Sequence, residues 1–172
     1  ITALAEEDET LLFHSGIAKL LMGYMTVTMV DYLGAVPYSQ AVNNAEFPNP
    51  ELDGGAELYQ TVLGDIEEAK DEIERANFEF STDLFYQSDK DKWLAFANSL
   101  KLRMLVQARL ASADIGVSNI QGEINSLLSE NLIDTNEEDF QWSYSTVQEP
   151  ESRHQYFQRA YVSGFDQYIG NY

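Results

Sequence analysis

Apolar residues between Thr10 and Leu33 recur at alternating spacings of three and one: Ile17, Leu20, Leu21, Tyr24, Met25, Thr28, Met29 and Tyr32. A 3.6-residue period with so broad an apolar stripe predicts a long, well-buried helix. Gly34 supplies a C-terminal stop, and Pro37 follows where a helix does not easily resume. Gly16 and Gly23 each cost roughly 1 kcal/mol relative to Ala in a helix interior. Close approach of a neighbouring helix is the expected compensation.

The pattern then disappears. Pro37, Pro48 and Pro50, the Asn43-Asn44 pair and Asp53-Gly54-Gly55 mark a connection from Gly34 to Gly55 that is longer than most loops, and so functional or mobile. A second helix is predicted over about Ala56 to Ala76, with Leu58, Tyr59, Val62, Leu63, Ile66, Ala69, Ile73 and Ala76 on one side. Its other side is charged, and Lys70–Glu74 or Asp71–Arg75 can pair four residues apart. Asn77 to Ser88 is an aromatic-rich connection. A third helix, about Lys90 to Ala111, follows with Trp93, Phe96, Ala97, Leu100, Met104 and Ala108 in its stripe. Asp89 or Asp91 can cap it.

A shorter fourth helix is expected from about Ser118 to Asn131, with Ser118 and Gln121 as a capping box. Next, Asp139-Phe140-Gln141-Trp142-Ser143-Tyr144-Ser145 alternates with period 2, which suits a short extended stretch with three aromatics on one side. Pro150 fits the first turn of a last helix, about Pro150 to Ser163, with Tyr156, Phe157, Ala160 and Tyr161 inward and Gly164 ending it. The reading is all-α, five helices with long irregular loops. The full tetratricopeptide consensus does not recur at its repeat length, so stacking of helix pairs is compatible with the periodicity without being demonstrated by it.

Composition narrows the possibilities. Ten Lys and Arg against 29 Asp and Glu give a formal net charge of −19, which repels phosphate backbones and anionic lipid, so no nucleic-acid partner is expected. An apolar fraction of 44% with 12% aromatics requires a folded core. Cysteine is absent, removing disulfides, thiolate nucleophiles and Cys-based zinc sites. No run of about 18 apolar residues is present. The chain opens at Ile1 without Met, and we expect a fragment of a longer protein.

Catalytic constellations are scarce. His14 and His154 belong to no metal-spaced pattern, and there is no Gly-x-Ser-x-Gly elbow, Walker loop or Gly-x-Gly-x-x-Gly. Asp89-Lys90-Asp91 lacks the Gly and the terminal Glu of a calcium loop. The acidic runs Glu6 to Glu9, Glu67-Glu68 and Glu137-Glu138-Asp139 read better as solvated faces than as acid/base pairs. We therefore expect no catalytic residue, metal or cofactor. Loop aromatics are the more suggestive feature: Phe47, Phe78, Phe80, Phe85, Tyr86, Trp142 and Tyr144. Such rings can stack on sugars or aromatic ligands. Equally, they can plug gaps between helices.

Three stretches resemble the SusD/RagB-like family. Ala18-Lys19-Leu20-Leu21-Met22-Gly23-Tyr24 through Val30-Asp31-Tyr32-Leu33-Gly34-Ala35-Val36-Pro37-Tyr38-Ser39 resembles its long helix and "YGDVPYS" turn, departing at Leu33 and Ala35, where Tyr and Asp are common. Leu58-Tyr59 with Ile66-Glu67-Glu68-Ala69 is similar to its next helix. Asp91-Lys92-Trp93-Leu94-Ala95-Phe96-Ala97-Asn98-Ser99-Leu100-Lys101-Leu102-Arg103 is close to its "KWxKFANSLKLR" helix, the most specific of the three. The likeness covers roughly Ile17 to Tyr144.

The resemblance implies tetratricopeptide-like helix pairs in a single α-helical region, residues 1–172, of a surface-exposed outer-membrane lipoprotein. It implies a non-enzymatic binding protein that captures oligosaccharides, sometimes peptides, and passes them to a SusC-like TonB-dependent transporter. Membrane attachment would be only through a lipidated Cys outside this chain. In the shared motifs Trp93, Phe96 and Leu100 are expected in the core, Asn98 bonding across helices and Arg103 pairing with a carboxylate. No binding residue carries over. Trp142 and Tyr144, with Phe47 in second place, are the ligand-binding candidates on loop position alone. The alternative is a tetratricopeptide-like adaptor that binds protein rather than glycan.

Overall fold

Helix packing is set by where backbones can come closest, and in this chain that is decided at two glycines. The computed structural model describes residues 2–5, 8–77, 83–148 and 152–162. The chain divides into two units, Ile1–Asp139 and Phe140–Tyr172, which are taken in turn.

In the first unit a short helix α1 (Thr2–Ala5) and a 3-10 turn (Glu9–Leu11) lead into α2 (Leu12–Leu33). Helix α3 (Gly55–Arg75), α4 (Lys90–Gln107) and α5 (Ile120–Leu127) follow. The described residues are predominantly helical; their only ladder is a two-residue antiparallel pair, β1 (Ala35–Val36) with β2 (Asp53–Gly54).

A Cβ at Gly16 would lie 2.7 Å from Ile73 Cγ1 and 2.8 Å from the Ala69 carbonyl oxygen, and one at Gly23 would lie 2.8 Å from Val62 Cγ1. Residue 16 thus meets 69–73 and residue 23 meets 62, so α2 and α3 run antiparallel, as the expected close approach required. The face α2 buries is Phe13, Gly16, Leu20, Gly23, Val27 and Val30. This corrects the predicted stripe: Leu20 is on it, but Tyr24, Met25, Met29 and Tyr32 are exposed. The helix is apolar around its whole circumference, so periodicity alone does not choose a side; the missing glycine side chains do.

Lys19 fastens the same interface. Its Nζ donates to Glu68 Oε2 at 2.8 Å and to Glu72 Oε1 at 2.9 Å. Lys101 joins α4 to both neighbours, at 3.0 Å from Glu67 and 3.7 Å from Glu123. The Lys90 ammonium donates to the Ala76 carbonyl at the end of α3. In a chain so rich in carboxylates, these lysines act as staples between helices. On the surface of α3, Asp71 and Arg75 form the i,i+4 pair at 2.8 Å.

The long connection after α2 is not structureless. The β1–β2 ladder closes its neck, and the Asp53 carboxylate accepts from the Ser39 hydroxyl at 2.7 Å and from the backbone N–H of Tyr38 and Ser39. The Ser39 hydroxyl first, and those N–H groups next, hold the Asp53 carboxyl below its ordinary value.

Trp93, Phe96 and Leu100 lie in the core as expected. Asp89 caps α4, accepting from Lys92 N–H at 3.2 Å. The carboxylate of Asp83 sits beside Trp93. It accepts from Trp93 Nε1 at 2.7 Å, from Phe85 and Ser88 N–H at 2.9 Å, and from Tyr86 N–H at 3.3 Å. These donors fix a turn in which Gln87 and Ser88 adopt positive φ of 54° and 67°. Burial alone would raise the Asp83 pKa, but the Trp93 indole and the backbone donors outweigh it and hold the value low. Tyr86 and Phe85 pack edge-on against Trp93, at 5.0 and 6.4 Å between centroids; Tyr86 is buried in the core and Phe85, half-buried, flanks it. Phe78 and Phe80 lie outside the described residues.

Helix α5 is shorter than expected. Its N-cap is Asn119, accepting from Gly122 N–H at 3.1 Å, in place of the Ser118–Gln121 box. Asn98 bonds from α4 to the Asn131 carbonyl at 3.0 Å, and Ser99 Oγ accepts from Ile133 N–H at 2.9 Å, tying the chain beyond α5 to α4. Arg103 faces Asp31 at 3.8 Å and lies over the Tyr24 ring.

In the second unit, α6 (Gln155–Phe157) passes directly into a π-turn (Gln158–Val162), where a longer α-helix was predicted. Tyr156 is exposed rather than inward. Pro150, Ser163 and Gly164, with the side chains of Ala160 and Tyr161, lie outside what the structure describes.

Two predictions follow from this packing. Gly16→Ala must push on a backbone carbonyl as well as Ile73, and overpacking should outweigh its gain in helix propensity, for a net loss of about 1 kcal/mol. Gly64→Ala, in the same bundle but with nothing near its Cβ position, should instead gain about 0.5–1 kcal/mol. Urea unfolding measures both; equal effects would contradict the packing. Asp83→Ala strands the Trp93 and backbone donors and should lower stability by roughly 3 kcal/mol at neutral pH. Because the folded-state pKa is depressed, the ionised carboxylate's contribution is fully present above about pH 5 and is lost as pH falls through the folded value. The deficit of Asp83→Ala at pH 3 should therefore be smaller than at pH 7, and an equal deficit at both would refute the assignment.

Candidate functional site

Alternating residues point to one side of an extended strand, so Trp142 and Tyr144 are expected to share a face. They do. Their ring centroids are 6.3 Å apart at an interplanar angle of 66°. Residues 152–153 lie alongside Ser145: Ser145 N–H donates to the Ser152 carbonyl at 2.8 Å, the two serine hydroxyls are 2.5 Å apart, and Ser145 forms a bridge with Arg153.

That pairing places two more rings beside the first pair. His154 meets Tyr144 edge-on at 4.7 Å between centroids, and Tyr156 stacks on His154 at 5.3 Å and 21°. The row runs Trp142, Tyr144, His154, Tyr156, with Trp142 37%, Tyr144 57% and Tyr156 53% exposed. His154 Nδ1 accepts from Tyr156 N–H at 3.1 Å, capping α6. The bond fixes the imidazole orientation.

Sequence reasoning missed His154 and Tyr156. Helical periodicity places Tyr156 on an inward face, and His154 belongs to no recognisable spacing. The one local signal was the His-x-Tyr spacing, which gives both rings the same side only if the backbone there is not a regular helix. Phe47, the third candidate, belongs to the first unit. It is half-buried in the loop between β1 and β2, where its N–H donates to the Asn43 carbonyl at 2.8 Å.

A row of partly exposed rings offers flat apolar faces at low conformational cost, and the Ser, Gln and His groups around it supply hydrogen-bonding partners. That chemistry suits a neutral polyhydroxylated ligand. A cleft of about 520 Å³ is different: its walls include Lys19, Glu68, Asp71, Glu72 and Arg75, already engaged with one another in ion pairs. Another cleft of about 260 Å³ lies where α2 ends and α3 begins, with Val30, Gly55, Tyr59 and Ile115 in its wall. At its edge Tyr59 donates to Asp31 at 2.5 Å, and burial, reinforced by that carboxylate, raises the Tyr59 pKa far above its ordinary value. Among the described residues no group of three or more His, Cys, Asp or Glu is placed to hold a metal ion.

Comparison with known proteins bears on these features. The profile of a family described as SusD-like, starch-binding and associating with the outer membrane, matches residues 2–166. Among proteins of curated function none matches the chain. Solved structures with the same fold include a SusD homologue from Bacteroides fragilis, with a TM-score of 0.68 at 21% identity over 80% of this chain. Another, from Bacteroides uniformis, gives a TM-score of 0.62 at 26% identity over 77%. A Bacteroidetes SusD-like protein gives 0.68 at 19% identity over 85%. The chain spans 29%, 27% and 26% of those three structures respectively.

The exposure of the row has a direct optical test. The chain has two tryptophans, one fully buried (Trp93) and one on the surface (Trp142). Acrylamide should quench about half of the fluorophores readily, and Trp142→Phe should abolish that accessible fraction. Persistence of the quenchable fraction in the variant would place Trp142 elsewhere.

Proposed function

The chain belongs to the SusD-like family, starch-binding and associating with the outer membrane, and from that premise we propose that it captures oligosaccharides at the cell surface. It does so without chemistry. In this reading the protein is a surface lipoprotein, anchored by lipid outside these residues, and it hands the bound nutrient to a SusC-like TonB-dependent transporter in the outer membrane.

One observation carries the assignment of the site: four neighbouring rings, three of them aromatic side chains with exposed faces, lie on one short extended segment and the residues paired with it. Sugar rings have apolar faces edged by hydroxyls, and they bind where an aromatic face is bordered by hydrogen-bonding groups. Trp142 and Tyr144 are the proposed stacking residues of this row, and Phe47, in the first unit, is proposed as a separate ligand contact and not as part of it. A binding role asks nothing of a raised-pKa carboxylate or an activated nucleophile, only that the rings be held still. The bridge at Ser145 and the His154 cap supply that constraint.

The test uses the full-length protein and a maltooligosaccharide series in isothermal titration. Trp142→Ala and Tyr144→Ala should each weaken binding about tenfold, equivalent to roughly 1.4 kcal/mol, and Phe47→Ala should weaken it less. The sugar should be recovered at its original length. Unchanged affinity in the first two variants would remove the site from this segment, and shortened sugar would remove the claim that the protein only binds.

A further inference from the structure

Two successive residues of the turn before α4, Gln87 and Ser88, hold the positive φ already noted. Residues with a Cβ rarely adopt this left-handed conformation, and glycine or asparagine enters it with less strain. Asp83 imposes it by gathering the backbone donors of the turn. Ser88 has a reason to be there: it is buried, and its N–H is one of those donors. Gln87 has none in the fold. Its side chain is exposed and bonds to no other described residue. A strained residue that the packing does not use points to a use outside the packing.

Beside it is a cleft of about 320 Å³, walled by Phe85, Tyr86, Gln87, Asp89 and Lys92. That volume is at the lower end of the roughly 300–1,000 Å³ typical of small-molecule sites. Phe85, half-buried, gives the wall an apolar ring. The polar groups are of both kinds. Gln87 has an amide that donates and accepts. Lys92 Nζ uses one of its three N–H donors on the Glu137 carbonyl, at 2.8 Å. Asp89 accepts from Lys92 N–H through Oδ1, which leaves Oδ2 as an acceptor toward the cleft's occupant. The wall is also held in place, since Tyr86 donates its hydroxyl to the Glu138 carbonyl at 2.7 Å while Asp83 grips the turn. A pre-formed site binds at a lower ordering cost.

Charge and hydrogen bonding select the ligand class. Among the described residues the wall has one anion, Asp89, and one cation, Lys92. An anionic ligand meets the first and a cationic ligand the second, so neither is favoured. A hydroxyl both donates and accepts. Neighbouring hydroxyls on one sugar ring can give hydrogens to Asp89 and the Gln87 carbonyl and take them from Lys92 and the Gln87 amide, while the carbon face of the ring meets Phe85. We propose that this cleft is a second sugar site, for a neutral pyranose, and that Gln87 is its ligand-binding residue. The inference rests on the reading of the protein as a sugar binder. It adds a site in the first unit, whereas the row at Trp142 and Tyr144 belongs to the second.

Substitution of Gln87 separates its two roles, because glycine relieves the strain and removes the amide at once. In urea, Gln87→Gly should unfold at a higher midpoint than the wild type, and so should Gln87→Asn, which tolerates positive φ. Binding is read by ligand-observed NMR titration of maltotriose into full-length protein carrying Trp142→Ala and Tyr144→Ala, so that the row does not contribute. Adding Gln87→Gly should weaken the residual binding about fivefold, the effect of losing roughly one hydrogen bond. Gln87→Asn keeps an amide and should weaken it less. Absence of residual binding, residual binding that Gln87→Gly leaves unchanged, or a lower urea midpoint in that variant would overturn this site and leave the aromatic row standing. Failure of the wild type to bind any maltooligosaccharide would instead remove the reading on which both sites rest.

Discussion

The antiparallel contact of α2 with α3 is the constraint on which the rest of the first unit rests. At Gly16 the Ala69 carbonyl and the Ile73 side chain, and at Gly23 the Val62 side chain, fill the space that a Cβ would need. The close approach fixes which side of α2 is inside, and that choice carries Lys19 onto Glu68 and Glu72 and Asp31 onto Tyr59. It also brings the ends of α2 and α3 together, so that Ala35 and Val36 pair with Gly54 and Asp53 and the long loop between them is closed at its base. A chain with a surplus of carboxylates is thereby held by apolar burial and a few well-placed lysines. Asp83 does for the α3–α4 connection what the glycines do for the helices: one carboxylate gathers four donors and fixes the turn around Trp93.

Much of this was legible from residue order, in places that differ for physical reasons. The position of α3 follows from one-sided apolar periodicity, and its ends fall within a residue of the predicted ones; α4 begins at Lys90 as predicted but ends at Gln107, a turn before the predicted Ala111, and buries residues on more than one side. The motif residues Trp93, Phe96 and Leu100 are where the resemblance placed them, because core identity in a helix is a local property of spacing. The side of α2 was not legible. A helix with apolar residues on every face has no preferred direction until a neighbour arrives, and the residues that admit the neighbour are glycines, which a hydrophobic pattern does not weigh. Asn119 displaced Ser118 as a cap by one position, the usual scale of uncertainty at a helix end.

The aromatic row shows the same division. Trp142 and Tyr144 could be paired from alternation alone, since both lie on one extended segment. His154 and Tyr156 could not, because they join through a bridge between Ser145 and Arg153 that no local pattern announces. Tyr86, from an equally aromatic connection, proved to be a core residue packed against Trp93, with Phe85 half-buried beside it. Loop position therefore selects candidates, and burial sorts them: rings that fill the core are held for stability, and rings left half in water remain available to a ligand.

A helical scaffold, with exposed rings held by backbone bonds at Ser145 and His154, is suited to holding a molecule unchanged. The most direct measurement is a crystal structure of the full-length protein with a bound maltooligosaccharide. The account predicts an intact sugar chain with pyranose faces against Trp142 and Tyr144. A sugar bound elsewhere with both rings unoccupied, or one cleaved at its site, would contradict it.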